Sequence, residues 1–323
     1  MIKNTFRIAT YSLLLGLLSL QSSCGNTSAN TSETSETSDI VGDNSKEEKL
    51  FDGFKFTEGP VWNPEGFLLF SDIPADTIYK WNTKDKNQNQ NKPTIFRRPS
   101  GNTNGNAYDN QGRLISAQHN RKLTRTEKDG KITVLAERYE NKLLNSPNDI
   151  AVKSDGSIYF TDPPYGIKKE EEELGFYGIY HWKNGNLTLL NKEMVRPNGI
   201  AFSPDEKKLY VSDSEKLHIL VFDVKSDGTL SEGKVFAELT GPTDKGVPDG
   251  MKVDTKGNIY CTGSGGVWIF SPTGKLIDKI SVPEKTTNVA WGNQDYKTLY
   301  ITAGNSVYRI PLNAAGIKPG KRE

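Results

Sequence analysis

Six polar positions recur at one phase along the chain: Glu58, Asn104, Asn148, Asn198, Asp249 and Thr287 or Asn288. Each stands just before an alternating apolar run that leads into a second strand-like run. The stretches read EGPVWNPEGFLLFSD, NGNAYDNQGRLISAQ, NDIAVKSDGSIYFTD, NGIAFSPDEKKLYVSD, DGMKVDTKGNIYCTG and TNVAWGNQDYKTLYITA. The set offers two carboxylates, Glu58 and Asp249, with several amide carbonyls and neither histidine nor cysteine. Hard oxygen donors with two formal negative charges suit a divalent cation, Ca²⁺ first and Mg²⁺ next. Mn²⁺ and Zn²⁺ are further candidates, although zinc usually takes nitrogen or sulfur. A blander reading is that Asn-Gly and Asp-Gly pairs form tight turns. That reading suffices for any one pair, but less well for a recurrence that includes Glu58, which is not a turn residue.

The spacing says what must position these residues. Repeats at intervals of roughly 40 to 50 residues are the period of propeller blades, and blades arranged radially bring one phase back to one ring around the axis. The expected fold is all-β, a six-bladed β-propeller with four-stranded antiparallel blades around a central channel. In the third repeat the strands are expected at 150–153, 157–161, 178–182 and 187–190, separated by turns such as Ser154-Asp155-Gly156 and Lys183-Asn184-Gly185. The last repeat holds three strands only, ending near Ile310, so the strand-like run Leu50 to Phe56 is expected to complete it and remove an open edge. The acidic loop Gly166 to Gly175 reads as a solvated excursion, with a lid over the channel mouth as the alternative.

Composition narrows the partners. With 41 basic against 40 acidic side chains, neither nucleic acid nor an anionic surface is expected, and a small ligand is favoured. The repeat array spans 50–310, with 311–323 as a C-terminal tail. Lys3 and Arg7 precede an apolar segment, Ile8 to Leu20, too short for a comfortable membrane span and shaped like a secretory signal over 1–24. Cys24 resembles the lipid-modified cysteine of a bacterial lipoprotein, although Gln21 stands where that pattern carries an aliphatic residue; a plain cleaved signal is the alternative. Residues 25–49, rich in Ser, Thr, Asn and Glu, read as a flexible tether. The expected location is outside the cytoplasm, periplasmic or anchored to a membrane through Cys24, as a monomer or dimer. Cys261 is left alone in the folded region and is expected to be a small buried core residue.

The motifs EGPVW, LNSPND, DGSIYFTDPPYG, RPNGIAFSPDEKKLYVSD, PDGMKVD and TNVAWG resemble the SMP-30, gluconolactonase and regucalcin-like family, its bacterial gluconolactonase branch in particular. The resemblance implies a propeller holding one catalytic divalent cation. It assigns Glu58, Asn198 and Asp249 as protein ligands and Asn148 as a fourth ligand or a substrate contact. The implied activity is hydrolysis of a sugar lactone to an aldonic acid. The cation would polarise the carbonyl while Asp249 serves as candidate base. A family arginine two positions before Asn148 is Ser146 here, which leaves the sugar open. Asn104 and His119 are candidate substrate contacts, and Asp162 and Tyr165 candidate wall residues. His181 and His218 fall in strands away from the ring phase and read as ordinary blade residues, and Trp62, Phe202 and Trp291 read as inter-blade core. A metal-holding propeller without turnover, and a hydrolase of another lactone or ester, are the competing readings.

Overall fold

The structure, a computed structural model, describes residues 40–42, 45–83 and 92–319. The leader and Cys24 lie outside the described residues, as does most of the stretch read as a tether. The described residues belong to one compact unit spanning 37–323.

Six four-stranded antiparallel sheets make up this unit. Their inner strands are Thr57–Asn63, Thr103–Tyr108, Ile150–Val152, Pro197–Phe202, Met251–Val253 and Thr286–Gly292. Each inner strand touches the next, and the sixth touches the first, so the blades close into a ring. This is the six-bladed propeller expected from the repeats. In the third blade the strands run Ile150–Val152, Ile158–Asp162, Gly178–Lys183 and Asn186–Asn191.

The core lies in the seams between blades, because successive residues of a strand face opposite sides of its sheet. Phe160 faces the second blade with Ile115 and Leu123. Its neighbour Tyr159 faces the fourth with Phe202 and Val211. Burying each such ring fully is worth about 1.5–3 kcal/mol. Trp62, Phe202 and Trp291 are seam residues as expected, Trp62 stacking on Tyr300 at 5.6 Å between centroids. Cys261 is buried in the seam between the fourth and fifth blades with Tyr210 and Met251.

Closure uses the N-terminus. Glu48–Phe51 pairs with Ser306–Pro311 and supplies the outermost strand of the sixth blade. The strand therefore lies earlier than the run 50–56 read from the sequence. Gly53, at φ 89°, ends the extended segment, and the N–H groups of Lys55 and Phe56 go to the Asp72 carboxylate instead of a ladder. The described part of the stretch read as a tether is likewise structured: Ile40 and Val41 pack on the core, and the Ile40 carbonyl accepts from Asn313 N at 2.9 Å. The chain after Pro311 also packs. Leu312 and Ala314 are buried. Gly316 bridges to Asp254, placing 315–319 as a strap across the channel end remote from the polar ring.

Candidate functional site

The polar ring sits where the inner strands depart from regular pairing. In blades one, two, four and six the ladder slips at or beside the ring position, between Glu58 and Val61, Thr103 and Asn106, Pro197 and Ile200, and Thr286 and Asn288. In blades three and five the strand begins just after Asn148 and Asp249. Irregularities of this kind re-aim a side chain that a regular strand would send into a seam. Glycines let the strands meet there. A Cβ on Gly59 would strike the carbonyl oxygen of Asn104, and one on Gly199 that of Asp249.

A second set of residues holds the ring together, and the reading of the sequence missed it. A hydroxyl on the second strand of a blade donates to the backbone carbonyl of the ring residue in the next blade. The pairs are Ser71 to Asn104 at 2.9 Å, Thr161 to Asn198 at 2.7 Å, Ser212 to Asp249 at 2.8 Å and Thr262 to Thr287 at 3.0 Å. The aspartate after three of these hydroxyls grips the chain entering a ring position. Asp72 accepts from Lys55 and Phe56 N, Asp162 from Asn145 N at 2.8 Å, and Asp213 from Val195 and Arg196 N. Each contact falls two or three residues before Glu58, Asn148 or Asn198. The signal was legible in FSD, FTD and VSD, which end the second strand in three of the six repeats.

Electrostatics mark the ring as an unbalanced site. Burial pushes the Glu58 carboxyl up to about 7, and the charge of Asp149 adds to this. The Asp249 carboxyl, half-buried by solvent exposure, is pushed well above the usual carboxylate range by desolvation and then by the charges of Glu58 and Asp149. The two ring carboxylates thus feel one another across a shared space. Asn198 donates its amide nitrogen to Ser214 Oγ at 3.0 Å, and its carbonyl oxygen is buried with no partner. Asn104 places its amide nitrogen 3.2 Å from His119 Nε2, and its carbonyl oxygen is also buried with no partner. Orphaned buried oxygens are uncommon and call for a ligand or ion. Asn148 is buried at the same phase, its backbone tied to Thr161 and Gly105.

Crowded carboxylates and unpartnered amide oxygens fit a hard divalent cation, with Glu58, Asn148, Asn198 and Asp249 as the residues able to hold it. Among the described residues no group of three or more His, Cys, Asp and Glu is placed to hold a metal. A cation at the ring would draw on amide oxygens as well as on Glu58 and Asp249.

Around the ring stand the outer candidates. His119 is held below its ordinary range, at about 4, by burial. The turn after Asp162 packs against it, since a Cβ on Gly166 would strike its side chain. Tyr165 places its hydroxyl 3.4 Å from Asn198 Nδ2. Burial raises its pKa, as does the charge of Asp249. Asp162, fully buried and pushed up to about 7 by desolvation, braces the approach to Asn148 and is not a wall residue. Ser146 is buried, and its hydroxyl accepts from Gly166 N at 2.7 Å, so it positions the turn. His181 and His218 lie on the third strands of their blades, away from the ring.

Residues 56–305 match the family described as the SMP-30/Gluconolactonase/LRE-like region. The chain is 32% identical to a gluconolactonase of Zymomonas mobilis, over 83% of this chain and 82% of that protein. It is 30% identical to a regucalcin of Xenopus laevis, over 77% of this chain and 83% of that one. A solved gluconolactonase from Xanthomonas campestris superposes with a TM-score of 0.75 at 34% identity, covering 85% of this chain and 91% of that chain. The chain belongs to the SMP-30/gluconolactonase/LRE-like family.

Proposed function

We propose that the protein hydrolyses a sugar lactone of the gluconolactone type to the aldonic acid, with one divalent cation, Ca²⁺ by first choice, at the polar ring. Lactone hydrolysis as such rests on the family and on gluconolactonase relatives above 30% identity along four-fifths of the chain. The observation that carries the metal reading is the pairing of two mutually repelling carboxylates, Glu58 and Asp249, with the unpartnered buried oxygen of Asn198.

Glu58, Asn198 and Asp249 hold the cation, with Asn148 as the fourth ligand or a substrate contact. When bound, the cation supplies Lewis acidity to the lactone carbonyl. Asp249 accepts a proton as water adds to the carbonyl carbon. The ring C–O bond then breaks, and the departing alkoxide takes a proton to leave the hydroxy acid. His119, neutral at ordinary pH, and Asn104 orient the sugar hydroxyls beside the ring, and Tyr165 does so at Asn198. Ser146 offers no charge to the substrate, which favours a lactone selected by hydroxyl contacts and keeps another lactone or ester as the second reading. The reading includes export, directed by the leader 1–24, with Cys24 as the lipid-bearing residue.

The test is acid release, followed by a pH indicator, from a panel of aldonolactones. The protein is stripped of metal and then resupplied with Ca²⁺, Zn²⁺, Mn²⁺ or Mg²⁺. Ion-dependent turnover above the spontaneous rate is the expected result. Tight ion binding without turnover on any lactone would replace the enzyme with a non-catalytic scaffold.

A further inference from the structure

Below the ring, towards the strap, the channel changes character layer by layer. One residue past the ring phase stand Gly59, Gly105, Asp149, Gly199, Gly250 and Asn288. Three residues past it stand Val61, Ala107, Ala151, Ala201, Lys252 and Ala290. A single lysine therefore occupies a collar of small apolar residues. Val61, Ala107, Ala151, Ala201 and Lys252 line a partly open cavity of about 150 Å³ that the strap borders with Ile317 and Lys318. Lys318 is turned to the ring of Tyr296, 5.7 Å from its centroid, leaving Lys252 as the cation directed at the layer above.

Lys252 Nζ donates to the Met251 carbonyl at 2.9 Å and lies 3.5 Å from Asn288 Oδ1 and 3.6 Å from Asp149 Oδ2. Asn288 in turn donates its Nδ2 to Glu58 Oε2 at 3.1 Å, with Oδ1 also accepting from Val289 N at 2.8 Å. Gly250 leaves the space that the Asn288 amide fills. The Val289 N–H sets which way the Asn288 amide points, and the lysine adds a longer contact to the same oxygen, so its charge is linked through Asn288 to a Glu58 oxygen that Gly59 N also holds. Asp149 is held by Ile150 N at 2.9 Å and Ile200 N at 3.3 Å, so it stays aimed into the channel.

The charges along this axis are Glu58, Asp249 and Asp149 against Lys252, and a divalent cation at the ring would bring the sum to zero. We propose that Lys252 is a built-in counter-charge, a positioning residue. It holds the carboxylate cluster together in the metal-free protein and keeps cation binding weaker than the bare carboxylates would make it. Lys252 is half-buried, with 26% of its side chain exposed, and a charge so placed beside apolar residues is stabilised by pairing; its partners here belong to the layer that supports the site. The cation half of this inference rests on the metal reading above; the metal-free half does not.

The experiment uses the full propeller as Lys252→Met and Lys252→Arg. Calorimetric Ca²⁺ titration and thermal unfolding are followed with and without the ion. Lys252→Met is expected to bind Ca²⁺ tighter by on the order of tenfold. Its unfolding midpoint should fall without the ion and return near wild type when saturated, while Lys252→Arg stays near wild type throughout. Unchanged or weaker Ca²⁺ binding in Lys252→Met would overturn the proposal. If the wild type binds no Ca²⁺, the metal reading fails and the metal-free midpoint decides alone. A drop in Lys252→Met that Asp149→Asn reverses would support the counter-charge, and no drop would overturn it. Should Lys252→Met not fold, folding of the double variant Asp149→Asn/Lys252→Met would support it, and failure of both would overturn it.

Discussion

At the scale of the residue, the account turns on four oxygen donors doing different work. Asp249→Ala should lose both the cation and turnover. Asp249→Asn keeps an oxygen donor but no proton acceptor, so it should retain weakened ion binding and lose about 10²–10⁴-fold in kcat. Equal losses of binding and rate in the asparagine variant would remove Asp249 as the base. His119 gives a sharper check. Its folded pKa, near 4, is below the value of about 6.5 for a free imidazole, so the fold favours the neutral ring. Stability is then lost as pH falls from about 6.5 towards about 4, and His119→Gln should lose less over that window. An NMR titration of His119 with a midpoint near 6.5 would contradict this burial and reopen the histidine as an acid or base. The ring of six positions was legible because one phase recurs in the sequence, while the choice of Glu58, Asn148, Asn198 and Asp249 among them came from the family resemblance. Lys252 and Asp149 were not legible. Lys252 is a single exception in a layer of small apolar residues, and Asp149 shares a glycine layer with one other exception, Asn288; such exceptions show only when the layers are stacked.

At the scale of the element, the site is made by irregular strand starts and by the groups that hold them. Asp213 accepts N–H bonds from Val195, Arg196, Glu215 and Lys216, the first two on the approach to Asn198. Asp213→Ala leaves those partly buried N–H groups without their shared acceptor, and about 1–3 kcal/mol of stability should go with it. Ca²⁺ affinity should fall as well, because Asn198 loses its seat; denaturant unfolding and calorimetry read the two effects. A variant destabilised but with unaltered affinity would confine Asp213 to a structural role. The strap makes a contrasting prediction. Removing the chain after Pro311 uncovers Leu312, Ala314 and Ile317 contacts at the far end of the channel. That should cost about 3 kcal/mol while leaving Ca²⁺ affinity within a few-fold of the intact protein. The strap could not be read from the sequence, since its packing depends on Trp291 and Tyr296, distant in chain but adjacent across the channel end. A Cβ on Gly316 would collide with Trp291, so the strap passes where only glycine fits.

At the scale of the molecule, the ring of blades is closed by pairing the start of the chain with its end. Deleting 37–51 would leave Ser306–Pro311 as an exposed edge. The truncated protein should aggregate or unfold over a broad, non-cooperative transition. The blade count and the closure by an N-terminal strand were legible, because a final repeat with three strands needs a fourth from elsewhere. The strand's true position at Glu48–Phe51 was not, because the alternating residues of LFDGFKF carry a strand-like pattern across Asp52-Gly53, where Gly53 and the Asp72 grip on Lys55 and Phe56 end the pairing. The central claim is that closure places Glu58, Asn148, Asn198 and Asp249 around one divalent cation. Its most direct test is an anomalous difference map from crystals of the propeller grown with Mn²⁺. One peak about 2.0–2.6 Å from the oxygens of Glu58, Asn198 and Asp249 is predicted. A well-ordered ring with no peak there, or a peak only elsewhere, would contradict it.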